Sequence, residues 1–196
     1  MKKIMFNDRY GLTQAVIEGR KTVTRRIVPW NLTEQWMEFV SDAPSVGGVY
    51  VHESEKDFYE REAPSYEVGE VVAVAQNYAN AFSSIRDIPV YGADRTPGWR
   101  NKMFVRADLM PYQIRITGIK CERLQEISDE DCLREGIIED EFPLENPYYF
   151  GDMKELGLVY FNTPREAFAA LIDKVSGRGT WASNPWVVAY EFELVK

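Results

Sequence analysis

The sequence has very few of the residues that build disulfide frameworks and metal centres. Its 196 residues include two cysteines and one histidine. Cys121 and Cys132 match no CxxC spacing, and His52 stands alone. Neither a disulfide framework nor a zinc site is therefore supported. We expect two reduced, partly buried thiols, no cofactor and no metal.

Several common functional motifs are also absent. No GxGxxG follows a strand-like run, and neither GxxxxGK[ST] nor GxSxG occurs. These absences remove the usual dinucleotide-binding, phosphate-loop and α/β-hydrolase interpretations. The single histidine also disfavours a hydrolytic triad built on histidine.

Long apolar runs are missing. The opening MKKIMFNDRY has no apolar run of the signal-peptide type, and no window of the sequence reaches the length needed to span a bilayer. We therefore expect a cytoplasmic protein that has no membrane partner.

Positive charge is scarce as well. Lysine and arginine number 23 against 31 aspartates and glutamates, which gives a formal net charge of -8. The field of the whole protein therefore repels polyanions, and any contact with nucleic acid must be local. Hydrophobic residues make up 45% of the chain and aromatic residues 13%, which is typical of a globular protein. The length suits one buried domain over residues 1–196.

Three segments have the pattern of helices: residues 9–18, 128–135 and 163–176. Gly19 and Gly136 stand just past the first two, where a left-handed residue commonly ends a helix. The third begins with Thr163 as its cap and Pro164 at the first helical position. Glu166 is placed to complete a capping box.

Three other segments have the pattern of strands: residues 68–75, 112–117 and 186–195. Strands that alternate with short helices, without a βαβ rhythm, predict an α+β fold on a mostly antiparallel or barrel-like sheet. Residues 31–66 and 77–110 lack clear periodicity, and we interpret them as two long insertions. The second insertion contains the loop-like PVYGADRTPGW, residues 89–99.

The segment EGRKTVTRR, residues 18–26, concentrates positive charge in an acidic chain. A threonine hydroxyl such as that of Thr24 becomes a nucleophile when a neighbouring base takes its proton. Lys21 can be that base if burial or nearby cations lower its pKa, and Arg20, Arg25 and Arg26 are such cations. A carboxylic acid folded against this group would protonate a leaving amine.

The spacing sets a geometric condition on this hypothesis. Residues three apart in a regular strand point to opposite faces, so Lys21 and Thr24 converge only if the backbone turns or bulges between them. The residue types alone favour a plainer interpretation, in which the cluster is a solvated face or pairs with the surplus carboxylates. Both interpretations stay open at this point.

The segment VIEGRKTVTRR resembles the signature of ASCH domains, small β-barrel modules of the PUA-like superfamily. VGEVVAVAQ, IRITGIKCERLQEISDEDCLREGI and NPWVVAYEFELV resemble three further stretches of such domains, in the same order. The chain is most similar to the larger ASCH-like proteins of bacteria and phages. The resemblance implies a PUA-like, mostly antiparallel β-barrel with short flanking helices, and it leaves the insertions at 31–66 and 77–110 unexplained.

A smaller branch of that family hydrolyses the amide of N(4)-acetylcytidine with a lysine, a threonine and a glutamate. The resemblance implies Lys21 as the proton acceptor, Thr24 as the nucleophile and Glu135, directly before Gly136, as the proton donor. Arg26 also matches and would hold a substrate oxygen. This chain is much longer than the members of that branch, and VVAVAQNY lacks the Arg-Glu pair of many larger relatives.

An RNA- or nucleotide-binding PUA-like module without catalysis is the alternative function. In that case arginines would hold phosphates and tryptophans would stack on bases. The residues concerned are Arg20, Arg25, Arg26, Trp30, Trp36 and Trp99. The net charge of -8 favours a small nucleoside or nucleotide, or a short RNA, over a long polymer. A third possibility is an inactive ASCH scaffold whose insertions bind a protein.

Overall fold

The computed structural model describes residues 1–42, 45–46, 49–50, 53–82, 87–88, 95, 97–141, 146–151 and 159–195. Within these ranges helices and strands alternate irregularly along the chain, and one mixed sheet forms the centre of the molecule. The predicted α+β class is therefore confirmed.

Nine strands lie in the described residues. They are β1 (Lys3–Ile4), β2 (Val23–Ile27), β3 (Ser45–Val46), β4 (Val49–Tyr50), β5 (Val71–Val74), β6 (Gln113–Arg123), β7 (Ile138–Glu139), β8 (Tyr148–Tyr149) and β9 (Trp186–Leu194). Five of them form the central sheet in the order β1-β5-β6-β9-β2, while β3 pairs with β4 and β7 pairs with β8. β1 runs parallel to β5, and the other neighbours in the central sheet are antiparallel.

The two edges of the central sheet approach each other. Residues that follow β1 lie close to β2. The contact between them is a hydrogen bond of 2.5 Å that Arg26 Nη2 donates to the Met5 carbonyl. Within the described part of the chain, β1 and β2 share no backbone pairing. In the part of the chain that the structure describes, the sheet is therefore open at this seam.

Seven α-helices surround the sheet in the described residues. They are α1 (Leu12–Ile17), α2 (Trp30–Asp42), α3 (Glu55–Glu62), α4 (Tyr78–Ala81), α5 (Asp129–Arg134), α6 (Pro164–Ser176) and α7 (Thr180–Ser183). Single 3-10 turns occupy Asp8–Tyr10, Pro97–Trp99, Lys102–Phe104, Ala107–Leu109 and Leu124–Glu126. The main core lies between the sheet and the helices α1, α3, α5 and α6.

The three helical predictions are confirmed as α1, α5 and α6. The predicted signals are present after α1, after α5 and at the start of α6. Gly19 and Gly136 have φ angles of 74° and 103°, and Thr163 Oγ1 accepts a hydrogen bond from Glu166 N at 3.1 Å. The predicted capping box differs in one contact. The Glu166 carboxylate accepts from Asn162 N, one residue before the cap, and so also fixes the approach to the helix.

The strand predictions are confirmed as β5, β6 and β9, but β6 is much longer than expected. Its first half alternates buried Ile114 and Ile116 with exposed residues, as the sequence indicates. The pairing with β9 then shifts between Ile116 and Gly118. This bulge moves the alternation out of phase, so a simple period of two stops at the bulge while the strand continues to Arg123.

The two predicted insertions contain regular structure that the sequence pattern did not indicate. The first holds α2, α3 and the β3–β4 pair. Its Trp36 and Phe39 pack with Phe58 of α3, so these aromatic residues are packing contacts. The second holds α4 and three 3-10 turns, which pack around a separate small core. Most of the PVYGADRTPGW segment lies outside the described residues.

Residues of the second insertion hold the segment between β1 and α1. Lys102 Nζ donates hydrogen bonds to the Phe6 carbonyl, to Asp8 Oδ1 and to Thr13 Oγ1. In the other direction, Lys3 Nζ donates to the carbonyls of Met103 and Val105. The insertion is thus fastened to the chain that leads into α1.

No helix in the described residues has the length and apolarity to cross a membrane.

Lys102→Met should lower the free energy of unfolding by about 1–2 kcal/mol, since the Phe6 carbonyl and the Asp8 carboxylate each lose a donor. Urea unfolding measures this loss. Lys56→Met is the matched control, because Lys56 forms an exposed ion pair with Glu60 worth about 0–1 kcal/mol. Equal losses in the two variants would contradict the anchoring role of Lys102.

Candidate functional site

The irregular backbone that the motif requires lies between α1 and β2. Gly19 is left-handed with φ 74°, and its N–H bonds the Val16 carbonyl at 3.0 Å. Lys21 N then donates to the Ala15 carbonyl at 2.9 Å, so Lys21 is still tied to the end of the helix. Regular strand geometry begins only at Val23. Lys21 and Thr24 therefore do not follow the face alternation of one continuous strand.

The end of α5 docks directly onto this turn. Lys21 Nζ donates to the backbone carbonyl of Glu135 at 2.7 Å, and Thr22 N donates to the Arg134 carbonyl at 3.0 Å. Both contacts satisfy carbonyls left without a partner at the helix end. Gly136 follows with φ 103°, and a Cβ there would lie 3.2 Å from Leu12 Cδ2. A glycine at this position thus lets α5 end against the motif.

Lys21 and Glu135 form a buried ion pair. Lys21 Nζ lies 2.5 Å from Glu135 Oε2, and the Lys21 side chain is 2% exposed. Burial lowers the pKa of the Lys21 ammonium, because a charge is disfavoured away from water. The Glu135 carboxylate opposes this shift, whereas the positive charges of Arg26 and Arg25 add to it.

Thr24 lies on the wall of a cavity of about 250 Å³ that the ion pair also lines. The polar part of this wall consists of Asn7, Lys21, Thr24, Arg25, Arg26, Glu135 and Ser176. Thr24 is buried in β2, opposite Tyr190 of β9. Its hydroxyl donates no hydrogen bond to any residue that the structure describes. The structure therefore brings the three predicted catalytic residues to one cavity.

The other eight residues that line the cavity are apolar. They include Phe6, Leu12, Phe168, Leu171 and Ile172. The last three belong to the apolar stripe of α6, so the helix that covers the core also shapes the cavity. The Phe6 ring centroid lies 5.9 Å from both Lys21 Nζ and Arg26 Cζ. This ring is therefore close to both the buried cation and the exposed one.

Arg25 is enclosed by three carboxylates. Its Nε donates to Glu122 at 2.7 Å, its Nη2 to Asp131 at 2.7 Å and its Nη1 to Glu135 Oε1 at 3.2 Å. The Arg25 side chain is 1% exposed. Every charged side chain that is buried in the described residues, namely Lys21, Arg25, Glu122, Asp131 and Glu135, belongs to this network.

The network reaches the protein surface through two further cations. Lys120 Nζ lies 3.1 Å from Glu122 and 3.5 Å from Asp131. Arg134 Nη1 lies 3.0 Å from Asp131. Burial alone would raise the pKa of the Asp131 carboxyl, but Arg25, Lys120 and Arg134 together hold it below its ordinary value.

The three predicted binding arginines have different surroundings. Arg26 lies at the cavity mouth with an exposed side chain, as the binding role requires. Arg25 has each of its three nitrogens engaged by a carboxylate, so its geometry does not support a direct grip on a substrate phosphate. Arg20 is 44% exposed, pairs with Glu18 at 2.5 Å and does not line the cavity. The structure therefore does not bring Arg20 to the cavity that Arg25 and Arg26 line.

Sequence reasoning did not find Glu122, Asp131 or Phe6. Glu122 lies in the half of β6 beyond the bulge, where the strand was not predicted. Asp131 carries the pattern of a first-turn helix acid, which usually needs no other explanation. Phe6 precedes the first recognisable element. The sequence shows the surplus of acidic residues as a net negative charge, and it does not show that three of them surround a buried arginine.

The two cysteines are free and buried, in agreement with the prediction of reduced thiols. Burial raises the pKa of Cys121 to about 11 and that of Cys132 to about 12, so neither is a reactive thiolate at neutral pH. No group of three or more His, Cys, Asp or Glu side chains within the described ranges is arranged to hold a metal ion.

Comparisons of the chain with protein-family models, with curated proteins and with solved structures found no match. The chemistry of the site must therefore be inferred from its own geometry and from the sequence resemblance.

Lowering the pH should remove the stability that Asp131 contributes. Its pKa in the folded protein lies below the ordinary 3.8, so this contribution is complete above pH 3.8 and is lost as the pH falls through the folded-state value. Urea unfolding at pH 5, 4 and 3 should therefore show a smaller loss of stability on acidification in Asp131→Asn than in the wild type. Asp129→Asn, an exposed acid of the same helix turn, should behave like the wild type. A wild-type slope in Asp131→Asn would contradict the prediction.

Proposed function

We propose that the protein is an amidohydrolase that acts on an acylated nucleoside such as N(4)-acetylcytidine. The observation that carries this proposal is the Lys21–Glu135 pair, buried at 2.5 Å on the wall of the cavity that Thr24 also lines. A hydroxyl nucleophile, an amine base and a carboxylic acid are the three groups that amide cleavage through an acyl-enzyme needs.

The ion pair can supply both catalytic protonation states. If one proton moves from Lys21 Nζ to Glu135 Oε2, the pair becomes a neutral amine beside a neutral carboxylic acid. The total number of protons on the pair is unchanged, and burial favours the neutral form of each partner. Lys21 is then ready to accept a proton, and Glu135 is ready to donate one.

In the acylation step, Thr24 Oγ attacks the acyl carbonyl carbon while its proton passes to Lys21. The bond from that carbon to the exocyclic nitrogen breaks, and Glu135 gives its proton to the departing nitrogen. The products of this step are the free amine, the acyl ester of Thr24, and the ion pair of a Lys21 ammonium and a Glu135 carboxylate. Arg26, at the cavity mouth, is placed to bind a substrate oxygen through its fixed donors.

In the deacylation step, water attacks the ester carbonyl and loses a proton to the Glu135 carboxylate. The bond to Thr24 Oγ breaks, and the Lys21 ammonium returns a proton to that oxygen. The carboxylic acid leaves, and the neutral amine and neutral acid are restored. The two steps consume one water and conserve every proton.

The sequence resemblance gives independent support. Lys21, Thr24 and Glu135 are the positions that match the lysine, threonine and glutamate of the N(4)-acetylcytidine-hydrolysing branch of the ASCH family. The central sheet, with mostly antiparallel pairing and edges that approach each other, is compatible with a PUA-like barrel. We accordingly propose an ASCH, PUA-like domain enlarged by the segments at 31–66 and 77–110.

The binding of RNA without catalysis has less support from the geometry. Arg25 is enclosed by carboxylates and Arg20 pairs with Glu18, which leaves Arg26 alone to hold a phosphate among the three assigned arginines. Trp36 packs against Phe58, whereas Trp30 is 67% exposed and could stack on a base. A small nucleoside therefore fits the site better than a polymer.

Purified protein should convert N(4)-acetylcytidine to cytidine and acetate, and Lys21→Ala, Thr24→Ala and Glu135→Ala should each abolish turnover. Removal of the nucleophile or its base should cost about 10³-fold or more in kcat/KM, since such residues act as a unit. Chromatography of the nucleosides follows the conversion.

Thr24→Ser is the conservative control, because it keeps a hydroxyl at the same position and should retain part of the activity. Circular dichroism must first show that each variant is folded. Failure of the folded wild-type protein to hydrolyse the substrate would remove this substrate assignment. Unchanged turnover in Thr24→Ala would remove the threonine nucleophile.

The pH dependence of kcat/KM should be bell-shaped. Activity rises with pH as the Lys21–Glu135 pair loses the first of its two protons, since a doubly protonated pair has no base. It falls again as the pair loses its last proton, since no acid then remains. Burial lowers the pKa of Lys21 from its ordinary 10.5, so the alkaline limb should lie below that pH. A rate that still rises at pH 10.5 would contradict the acid role of Glu135.

A further inference from the structure

We propose that Arg25 is a positioning residue of this site, which holds the Glu135 carboxylate in its catalytic orientation while Lys21 gains and loses its proton. The inference rests on the proposed function for its activity assay. Its structural part concerns the coupling of Arg25 to Lys21 and Glu135, which can be measured without a substrate.

The two oxygens of the Glu135 carboxylate are held by different cations. Oε2 lies 2.5 Å from Lys21 Nζ, and Oε1 accepts from Arg25 Nη1 at 3.2 Å. A carboxylate fixed at both oxygens cannot rotate about its terminal bond without losing one of these contacts. The oxygen that carries the proton is therefore kept beside Lys21.

Lys21 cannot perform this task alone. During each turnover it becomes a neutral amine, and its attraction for the carboxyl group is then weakened. The Arg25 guanidinium remains charged at every pH that proteins tolerate. Arg25 thus supplies a permanent charged contact to Glu135, whereas the contact from Lys21 changes with the protonation state of the lysine.

The guanidinium is itself held from two other elements. Glu122 on β6 binds its Nε, and Asp131 on α5 binds its Nη2. Because Asp131 lies in the first turn of α5 and Glu135 caps its C-terminal end, Arg25 also fixes α5 relative to β2. A lysine at this position has one ammonium group and no planar fork, so it cannot reproduce three contacts in fixed directions.

Arg25 also acts on Lys21 through its charge. The groups that face Lys21 are Glu135 from α5, which favours the ammonium form, and Arg25 and Arg26 from β2, which disfavour it. The groups that face Arg25 are Glu122, Asp131 and Glu135. Loss of the Arg25 charge should therefore make Lys21 hold its proton to a higher pH.

Simple removal of Arg25 would leave three carboxylates buried without their shared cation, which is strongly destabilising. Two variants avoid this difficulty. Arg25→Lys keeps the positive charge and removes the planar guanidinium with its three separate donor nitrogens. The double variant Arg25→Gln, Glu122→Gln removes one charge of each sign and so keeps the buried charge balanced.

The test combines steady-state kinetics with a substrate-free NMR titration of the Lys21 side chain, assigned with Lys21→Arg. In Arg25→Lys, kcat for N(4)-acetylcytidine should fall by about 100-fold with little change in KM, because misplacement of a catalytic group by about 1 Å has an effect of that size. In the double variant, the Lys21 titration and the alkaline limb of kcat/KM should both move to higher pH. Arg115→Gln is the matched control, because Arg115 is a strand arginine in an exposed pair with Glu193, and it should change neither readout.

Wild-type kcat in a folded Arg25→Lys protein would overturn the proposal, as would an unchanged Lys21 titration in the double variant. If Arg25→Lys does not fold, the double variant decides. If the wild type hydrolyses no acylated nucleoside, the proposed function fails, and the Lys21 titration still tests the coupling: a shift in the double variant supports it and no shift overturns it.

Discussion

The structure depends on how a buried set of charges is neutralised. Two cations and three carboxylates lie in the interior, on β2, β6, the end of α5 and the turn before β2. A buried charge is tolerated only with partners of opposite sign in good geometry, so these elements have one acceptable relative position. The hydrophobic core brings sheet and helices together, whereas the charge network selects their register. The same constraint produces an amine and a carboxylate in contact beside a cavity.

Much of the local structure could be predicted from the sequence, and much of the packing could not. The glycines after α1 and α5 and the threonine cap of α6 are local signals, and they marked helix ends correctly. The length of β6 was not predicted because a bulge at Ile116 and Gly118 breaks its period. α2 was not predicted, although Leu32, Trp36 and Phe39 recur at helical spacing, because the segment was interpreted together with its polar and acidic neighbours as one insertion.

The candidate site shows the same division. The basic motif identified Lys21, Thr24 and Arg26 from chemistry and resemblance, and all three line the cavity. The motif could not show that Arg25 donates to three acids, because those acids are distant in sequence. Arg20 seemed equivalent to its neighbours from charge alone, yet it precedes the strand and faces solvent. Arginines that look alike in a sequence therefore differ in burial and in hydrogen-bond partners once the chain is folded.

The open seam between β1 and β2 has a consequence for how this fold can change. The cavity is bordered on one side by residues that follow β1 and on the other by β2, and across the gap Arg26 bonds the Met5 carbonyl. A backbone ladder would fix the distance between two strands, whereas the side-chain contacts of Arg26 with Met5 and Phe6 do not. The width of this gap can therefore change through substitutions at its rim while the sheet stays unaltered.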